Sequence, residues 1–281
     1  LLFSPSYSPE NNPKNNPSQA CVNATMDIAV AKELLTHLIA ACEELGTDAE
    51  GVTRWRALLA KMPDYLINAD GAVKEWATPL LEDNYAHRHV SHLYPLFVGM
   101  PPEIGTNAAL RAAFKRAADY RMEIRRKENG GEMAFGLVQL GQAVSSLREA
   151  PMSYEVVDWL ANNYWYPNLV TTHNPKSLFN VDLCGGLPAI IIKMLVDSQP
   201  GWIELLPALP QQWPAGRIEG VRCRGQIEAR SLAWDAERIT VTLKSDIAQR
   251  VELRSPAAPH AKFVDLPQGR DVTVELVRSK R

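Results

Sequence analysis

The sequence predicts a mainly α-helical chain that ends in a small all-β domain. Three observations support that expectation. Between Thr25 and about Pro200, apolar residues recur at helical spacing. The connections between those stretches are rich in Pro, Asn, His and acids. After Trp202 the apolar period shortens to two, as in strands that bury one face. Helices joined by long polar loops suit an α/α toroid whose loops gather at one end. A β sandwich or sheet is expected from about residue 201 to the end.

The first helix, Met26–Leu45, carries Ile28, Leu35, Leu38, Ile39, Cys42 and Leu45 as an apolar stripe. Thr25 is placed to cap its start and Gly46 to end it. A second helix, roughly Ala49–Lys61, holds Trp55, Leu58 and Leu59. Further helices are expected over Asn107–Arg126, Met133–Leu147, Tyr154–Tyr164 and Pro188–Asp197, with Gly130-Gly131 separating two of them. Three loops lie among them: Ser4–Ser18, Gly71–His92 and Tyr166–Gly186. Further on, Ile218–Trp234 alternates in stretches, and Arg238–Lys244 reads polar/apolar as a half-buried strand should. Val251–Leu253 and Asp271–Val277 repeat that pattern, and the β part is expected to stabilise the helices by packing on them.

The bulk numbers exclude several function classes. A chain of 281 residues has room for one large domain or two ordinary ones. Its 46% apolar and 22% charged content predicts a true core. A net charge of −2 without a basic stripe gives nucleic acid no electrostatic support as a partner. No apolar run is long enough to span a bilayer, the longest being Leu187–Val196, broken by Lys193, so no membrane partner is expected. Cys21, Cys42, Cys184 and Cys223 are scattered, with no CxxC pairing and no zinc-type His spacing, so no metal is expected. The opening Leu1-Leu2-Phe3-Ser4-Pro5 lacks an initiator Met and a signal-type core. The chain is therefore expected to be a fragment, and its export is left open.

Chemistry concentrates in the loops. In Ser4-Pro5-Ser6-Tyr7-Ser8-Pro9-Glu10-Asn11, two prolines hold the backbone extended ahead of Glu10 and can present its carboxyl rigidly. The same composition fits a solvated terminus. The second loop holds Glu75-Trp76 and then His87-Arg88-His89-Val90-Ser91-His92. Three imidazoles and a guanidinium suit a hydroxyl-rich sugar, and Trp76 could stack on its apolar ring face. A helix capped by Ser91 beside satisfied histidines fits as well. In the third loop, Asp182 precedes Gly185-Gly186 and the helix expected from Pro188, where glycines allow close approach to a ligand. An Asp favoured there by the helix dipole alone is the other reading. Carboxylates on separate segments are what glycoside hydrolysis requires.

At these residues the sequence resembles glycoside hydrolase family 95, the inverting α-L-fucosidases and α-L-galactosidases. The matching pieces are Ser4–Asn11, Glu75-Trp76, His87–Leu93 and Phe179-Asn180-Val181-Asp182. Leu205-Leu206-Pro207-Ala208-Leu209-Pro210, with Trp213, Gly216, Gly220, Arg222, Arg224 and Gly225, extends the likeness to about Trp234. The resemblance implies the later part of an (α/α)6 catalytic barrel over 1–200 and a C-terminal β-sandwich domain over 201–281. It implies an exo-glycosidase that cleaves terminal α-L-fucosyl or related L-sugar linkages with inversion, on an oligosaccharide or glycan, without a cofactor. Asp182 matches the water-activating carboxylate, and Glu10 is the choice for general acid, with Glu75 its rival. Glu75, Trp76, Arg88, His89, His92 and Asn11 are the expected sugar contacts.

The family's water-holding asparagines come from an earlier barrel segment, so the missing N-terminal half of the same enzyme is an expected partner. A secreted or periplasmic address follows from the resemblance alone. Two stretches depart from the family. Leu183-Cys184-Gly185-Gly186 stands where many members have Gly-Asn-Phe-Gly, and Gly131-Glu132-Met133-Ala134-Phe135 lacks the Trp-rich form. A helical-barrel disaccharide phosphorylase, with phosphate at the Arg88 cluster, is one alternative. A carbohydrate-binding or inactive remnant is the other.

Overall fold

A computed structural model describes residues 1–127 and 133–279, so the predicted Gly130-Gly131 break lies outside the described residues, as do Gly131 and Glu132 of the departing stretch. The helices are α1 (Thr25–Leu45), α2 (Ala49–Leu59), α3 (Pro102–Gly105), α4 (Ala108–Lys127), α5 (Ala134–Ser146), α6 (Ala150–Asn163) and α7 (Asp182–Leu195), with a 3-10 turn over Ser91–Leu96. Helix α1 buries Ile28, Leu35, Ile39 and Cys42, while Leu45 faces outward. Gly46, at φ +62°, ends it in the left-handed conformation that glycine tolerates best. Thr25 does not cap this helix. It is the first helical residue, and its hydroxyl donates to the Lys74 carbonyl at 2.6 Å. Asp48 caps α2, accepting from the Gly51 amide at 3.0 Å.

Small residues set the packing of the later helices. A Cβ on Gly186 would lie 2.5 Å from both Val138 methyls, and one on Gly141 would lie 2.6 Å from Ile190 Cδ1. The pairs Val138/Gly186 and Gly141/Ile190 advance together, so α5 and α7 run parallel. Gly141 also meets Val156, and Ser145 Oγ donates to Ser153 Oγ at 3.0 Å, so α6 runs antiparallel to α5. Arg111, near the start of α4, reaches the Leu147 carbonyl past the end of α5 at 3.2 Å, whereas Arg125 lies beside Gly136. Helix α4 therefore ends where α5 and α7 begin.

Two expected boundaries move. Helix α6 starts at Ala150 rather than Tyr154, with Pro151 in its first turn, where a missing N–H costs nothing. Helix α7 starts at Asp182 and not near Pro188. Asn180 Oδ1 takes the Asp182 N–H at 2.9 Å, satisfying one of the amides a helix start leaves open. Gly185, Gly186 and Pro188 thus sit within the helix, and Gly186 serves contact with α5 rather than approach to a ligand. The segment expected to be a loop also contains a hairpin, β1 (Thr172–Asn174) paired with β2 (Ser177–Phe179).

The β part comprises β3 (Val196–Gln199), β4 (Trp202–Leu205), β5 (Gly216–Cys223), β6 (Ile227–Trp234), β7 (Arg238–Ser245), β8 (Gln249–Arg254), β9 (Lys262–Leu266) and β10 (Asp271–Val277). They form two four-stranded sheets, ordered β10-β7-β6-β5 and β3-β4-β8-β9. Every pairing is antiparallel except β4 with β8. Ile239, Val241 and Leu243 of one sheet and Ile203, Leu205, Val251 and Leu253 of the other share one buried core. Strand β3 follows α7 without a break, so the sheet starts before residue 201.

A second core fills the helical part, and Ile191 and Trp213 pack against both. An ionic clamp spans the junction. Arg148, in the α5–α6 turn, donates to Asp197 on β3 at 2.7 Å and to Glu204 on β4 at 2.6 Å. Lys193 donates to the Phe97 carbonyl at 2.6 Å and to Ser146 Oγ at 2.9 Å, and its burial pushes its pKa down to about 8.

Candidate active site

The Glu10 loop is held from four sides. The Asn11 amide donates to the Ser8 carbonyl at 2.8 Å, closing a turn with Pro9 and Glu10 at its corners. Ser91 Oγ donates to the Pro9 carbonyl at 2.5 Å, and the His89 ring hydrogen-bonds to the same carbonyl. Gln19 donates to the Glu10 carbonyl at 2.7 Å. The Glu10 carboxylate itself projects outward, half exposed, and pairs with the Arg88 guanidinium.

Glu75 lies beneath this turn. Its Oε1 accepts from Ser8 Oγ at 2.7 Å, and its Oε2 accepts from Asn11 Nδ2 at 2.8 Å and from Arg121 at 2.7 Å. Its side chain is 2% exposed. Burial raises its pKa, and the Arg121 charge opposes that shift. Arg121 also donates to the Tyr85 and His87 carbonyls, at 2.8 and 3.0 Å, so α4 pins the second loop.

Burial corrects the expected sugar contacts. Trp76 is fully buried against Cys21, Ala24 and Leu81, so its ring is no stacking platform. Asn11 is fully buried, its amide spent on Glu75 and the Asn84 carbonyl and its oxygen on the Asn12 amide and Asn84. His92, 1% exposed, lies with Nδ1 3.9 Å from Glu75, and burial lowers its pKa well below the ordinary imidazole range. His89 is also buried, its ring edge against Phe135. Of the expected contacts, Arg88 remains accessible. Ser91 caps nothing; its hydroxyl is spent on Pro9.

Asp182 opens α7 and is exposed. Asn180 braces it, donating through Nδ2 to Oδ2 at 2.8 Å. Thr171 in turn donates to the Asn180 carbonyl, and its Oγ1 lies 3.3 Å from Cys184 Sγ. Leu178, Phe179 and Val181 are exposed around it. The helix directions join this site to the first. Phe135 and Gly136, at the start of α5, touch His89 and the Arg88 carbonyl, and the parallel α7 begins level with them. Glu10, Arg88 and Asp182 therefore lie at one end of the helical part, on three separate segments.

What the sequence did not single out is the support: Ser8, Arg121, Asn180, and Arg125, whose guanidinium donates to the Arg88 carbonyl. The Asn180 role had a local signal in its two-residue spacing to Asp182, whereas α4 arginines reaching a distant loop had none. Among the described residues no group of three or more His, Cys, Asp or Glu is arranged to hold a metal ion. Nor, among the described residues, is any helix long and apolar enough to cross a membrane. A cleft of about 720 Å³ lies elsewhere, lined by Tyr154, Glu155, Asp158, Gln211 and Gln212 among others.

The helical part presents two outward carboxylates from separate segments, Glu10 on a loop and Asp182 at the start of α7. Residues 1–195 match the glycosyl hydrolase family 95 catalytic domain, and residues 197–280 match the glycoside hydrolase family 95 C-terminal domain. The chain belongs to glycoside hydrolase family 95. It is 33% identical to "Alpha-L-fucosidase 2" of Arabidopsis thaliana over 75% of this chain and 25% of that protein. It is 23% identical to "Probable alpha-fucosidase A" of Aspergillus niger over 67% of this chain and 25% of that one. The match thus spans about a quarter of the length of these relatives. A putative kojibiose phosphorylase from human microbiome overlays with a TM-score of 0.46 and 9% identity, covering 93% of this chain and 38% of that one. Likeness at that level does not bear on activity.

Proposed function

We propose that this chain supplies the acid and base carboxylates of an inverting exo-glycosidase acting on terminal α-L-fucosyl or related L-sugar linkages of glycans. The observation that carries the reading is the presentation of Glu10 and Asp182, outward and on separate segments, at one end of the helical part of a family 95 chain. Protonated Glu10 gives its proton to the glycosidic oxygen as the C1–O bond breaks. Asp182 takes a proton from a water that attacks C1 from the opposite face, and the anomeric configuration inverts. Arg88, paired with Glu10 in the free protein, exchanges that contact for a sugar hydroxyl. Residues 1–200 are read as the later part of an (α/α)6 catalytic barrel and residues 201–281 as a C-terminal β sandwich, with β3 drawing the boundary toward Val196. The parallel α5 and α7, with α6 antiparallel against them, support that reading.

Sugar release from an α1,2-linked fucoside by the intact protein is the test, with the first-formed anomer read by NMR. Asp182→Asn and Glu10→Gln are each expected to lower kcat by about 100-fold or more, the usual scale of acid–base assistance. Unchanged turnover in Asp182→Asn removes Asp182 from the mechanism, and a retained anomer removes single displacement.

A further inference from the structure

We propose that Glu75 is a positioning residue, a buried carboxylate that grips the residues on either side of Glu10 and thereby aims the Glu10 carboxyl at the leaving-group oxygen. The proposal rests on the reading of Glu10 as general acid and deepens it. Its basis is a symmetry of contacts. Ser8, two residues before Glu10, donates to one Glu75 oxygen at 2.7 Å, and Asn11, one residue after, donates to the other at 2.8 Å. The turn between them is closed by the Asn11 amide on the Ser8 carbonyl at 2.8 Å. Rotation of that turn breaks at least one of the three bonds.

Glu75 is itself immobilised. Arg121 holds Oε2 at 2.7 Å from α4, and Asp83 accepts from the Glu75 amide at 2.7 Å. The Glu75 carbonyl accepts from the Thr25 amide at the start of α1 at 3.0 Å. Two helices and two loops therefore converge on one residue, backbone and side chain together, whose carboxylate is closed to solvent. With three donors on its two oxygens it acts as an acceptor, and it has no route to a sugar. A carboxylate suits this place because it accepts from Ser8 and Asn11 together and neutralises the buried Arg121. A glutamine would set its own NH2 against one of those donors.

The test separates aim from folding by the leaving group. A 4-nitrophenyl α-L-fucoside departs as a stabilised phenolate and needs little protonation, whereas an α1,2-linked fucosyl-galactose needs the acid fully. In the intact protein, Glu75→Gln is expected to lower kcat on the disaccharide about 100-fold and on the aryl fucoside about 10-fold or less, with KM within about twofold. A variant that is merely less folded loses both activities in equal proportion. Glu75→Gln strips Arg121 of its counter-ion and threatens folding, so Ser8→Ala, which leaves Arg121 paired, is the second variant. It is expected to lower the disaccharide rate about 10-fold with the aryl rate within twofold.

Hydrogen exchange gives a readout that needs no activity. Amides 6–12 should exchange faster in both variants while those of α5 hold. Equal losses on the two substrates, or unchanged exchange at 6–12, overturn the proposal. If the wild-type protein cleaves neither substrate, the functional reading fails by itself. The exchange pattern then decides whether Glu75 holds the Glu10 turn.

Discussion

At the scale of single residues, the candidate site is a thin layer of accessible groups over a thick layer of buried polar ones. Glu10, Arg88 and Asp182 face outward, while Glu75, Asn11, His89 and His92 lie sealed beneath or beside them. Burial has an electrostatic cost that falls on the imidazoles. His87 has its pKa lowered to about 3, by burial first and by the Arg121 charge second. Its folded value lies below the ordinary 6.5, so the unfolded chain binds the extra proton between those limits. Stability from this group is intact above about pH 6.5 and is lost as pH falls toward 3. Denaturant midpoints taken from pH 7 to pH 4 should therefore fall less steeply in His87→Gln than in the wild type, and parallel curves refute the assignment. The motifs showed which residue types carry chemistry, and of those residues Glu10, Arg88 and Asp182 reach the surface. They could not show sidedness. An irregular loop has no period, so nothing in Glu75-Trp76 or His89–His92 distinguishes a side chain turned to solvent from one turned to the core.

At the scale of elements, helix packing determines where the site residues stand. Asp182 is level with the Arg88 loop because α5 and α7 run parallel in tight contact, which Gly186 permits. Gly186→Ala should cost about 1–3 kcal/mol, the range for forcing an extra methyl into a packed interface. In a double-mutant cycle with Val138→Ala the pair should show a coupling of about 0.5 kcal/mol or more in the relieving direction. Additive losses in urea unfolding count against the close contact as their cause. Helix α1 was readable from its stripe and its terminal glycine, both local signals. The start of α7 was not, because Gly-Gly-Leu-Pro reads as a breaker until Val138 is known to fill the place a side chain would take. Strand β3 was hidden for a related reason. The apolar run from Leu187 to Val196 carries the helix into the strand with no turn residue to mark the change.

At the scale of the whole molecule, two cores meet across a junction that combines apolar contact with an ion cluster. Trp213 stands edge-on to Tyr154 of α6 with ring centres 5.9 Å apart, and its carbonyl accepts from Trp234 of β6 at 3.0 Å. Arg148 satisfies two largely buried carboxylates at once, so Arg148→Ala leaves Asp197 without its ion pair and Glu204 with Arg254 alone, 3.7 Å away. A loss of about 3–5 kcal/mol is expected from breaking such a cluster. Calorimetry should show a lower Tm with both parts still melting together, and a change within error places the junction's strength in Ile191 and Trp213 instead. The β part as a class was legible from alternation, which two-faced sheets impose. The clamp was not, since its partners lie in separate segments.

The direct passage from α7 to β3 has a consequence for how this chain can be taken apart. A joint between folded bodies is ordinarily a stretch of backbone that neither body needs, and it can be cut, lengthened or swivelled. Here no such stretch exists at Leu195–Val196, because the last helical turn hands its chain straight to a sheet edge. A cut after residue 200 carries β3 away with the helices and strips β4 of one of its two neighbours, while a cut before residue 195 truncates the helix that bears Asp182. The two parts share that segment, so the edge strand of the sheet and the helix on which the candidate base is mounted are one unbroken run of regular backbone.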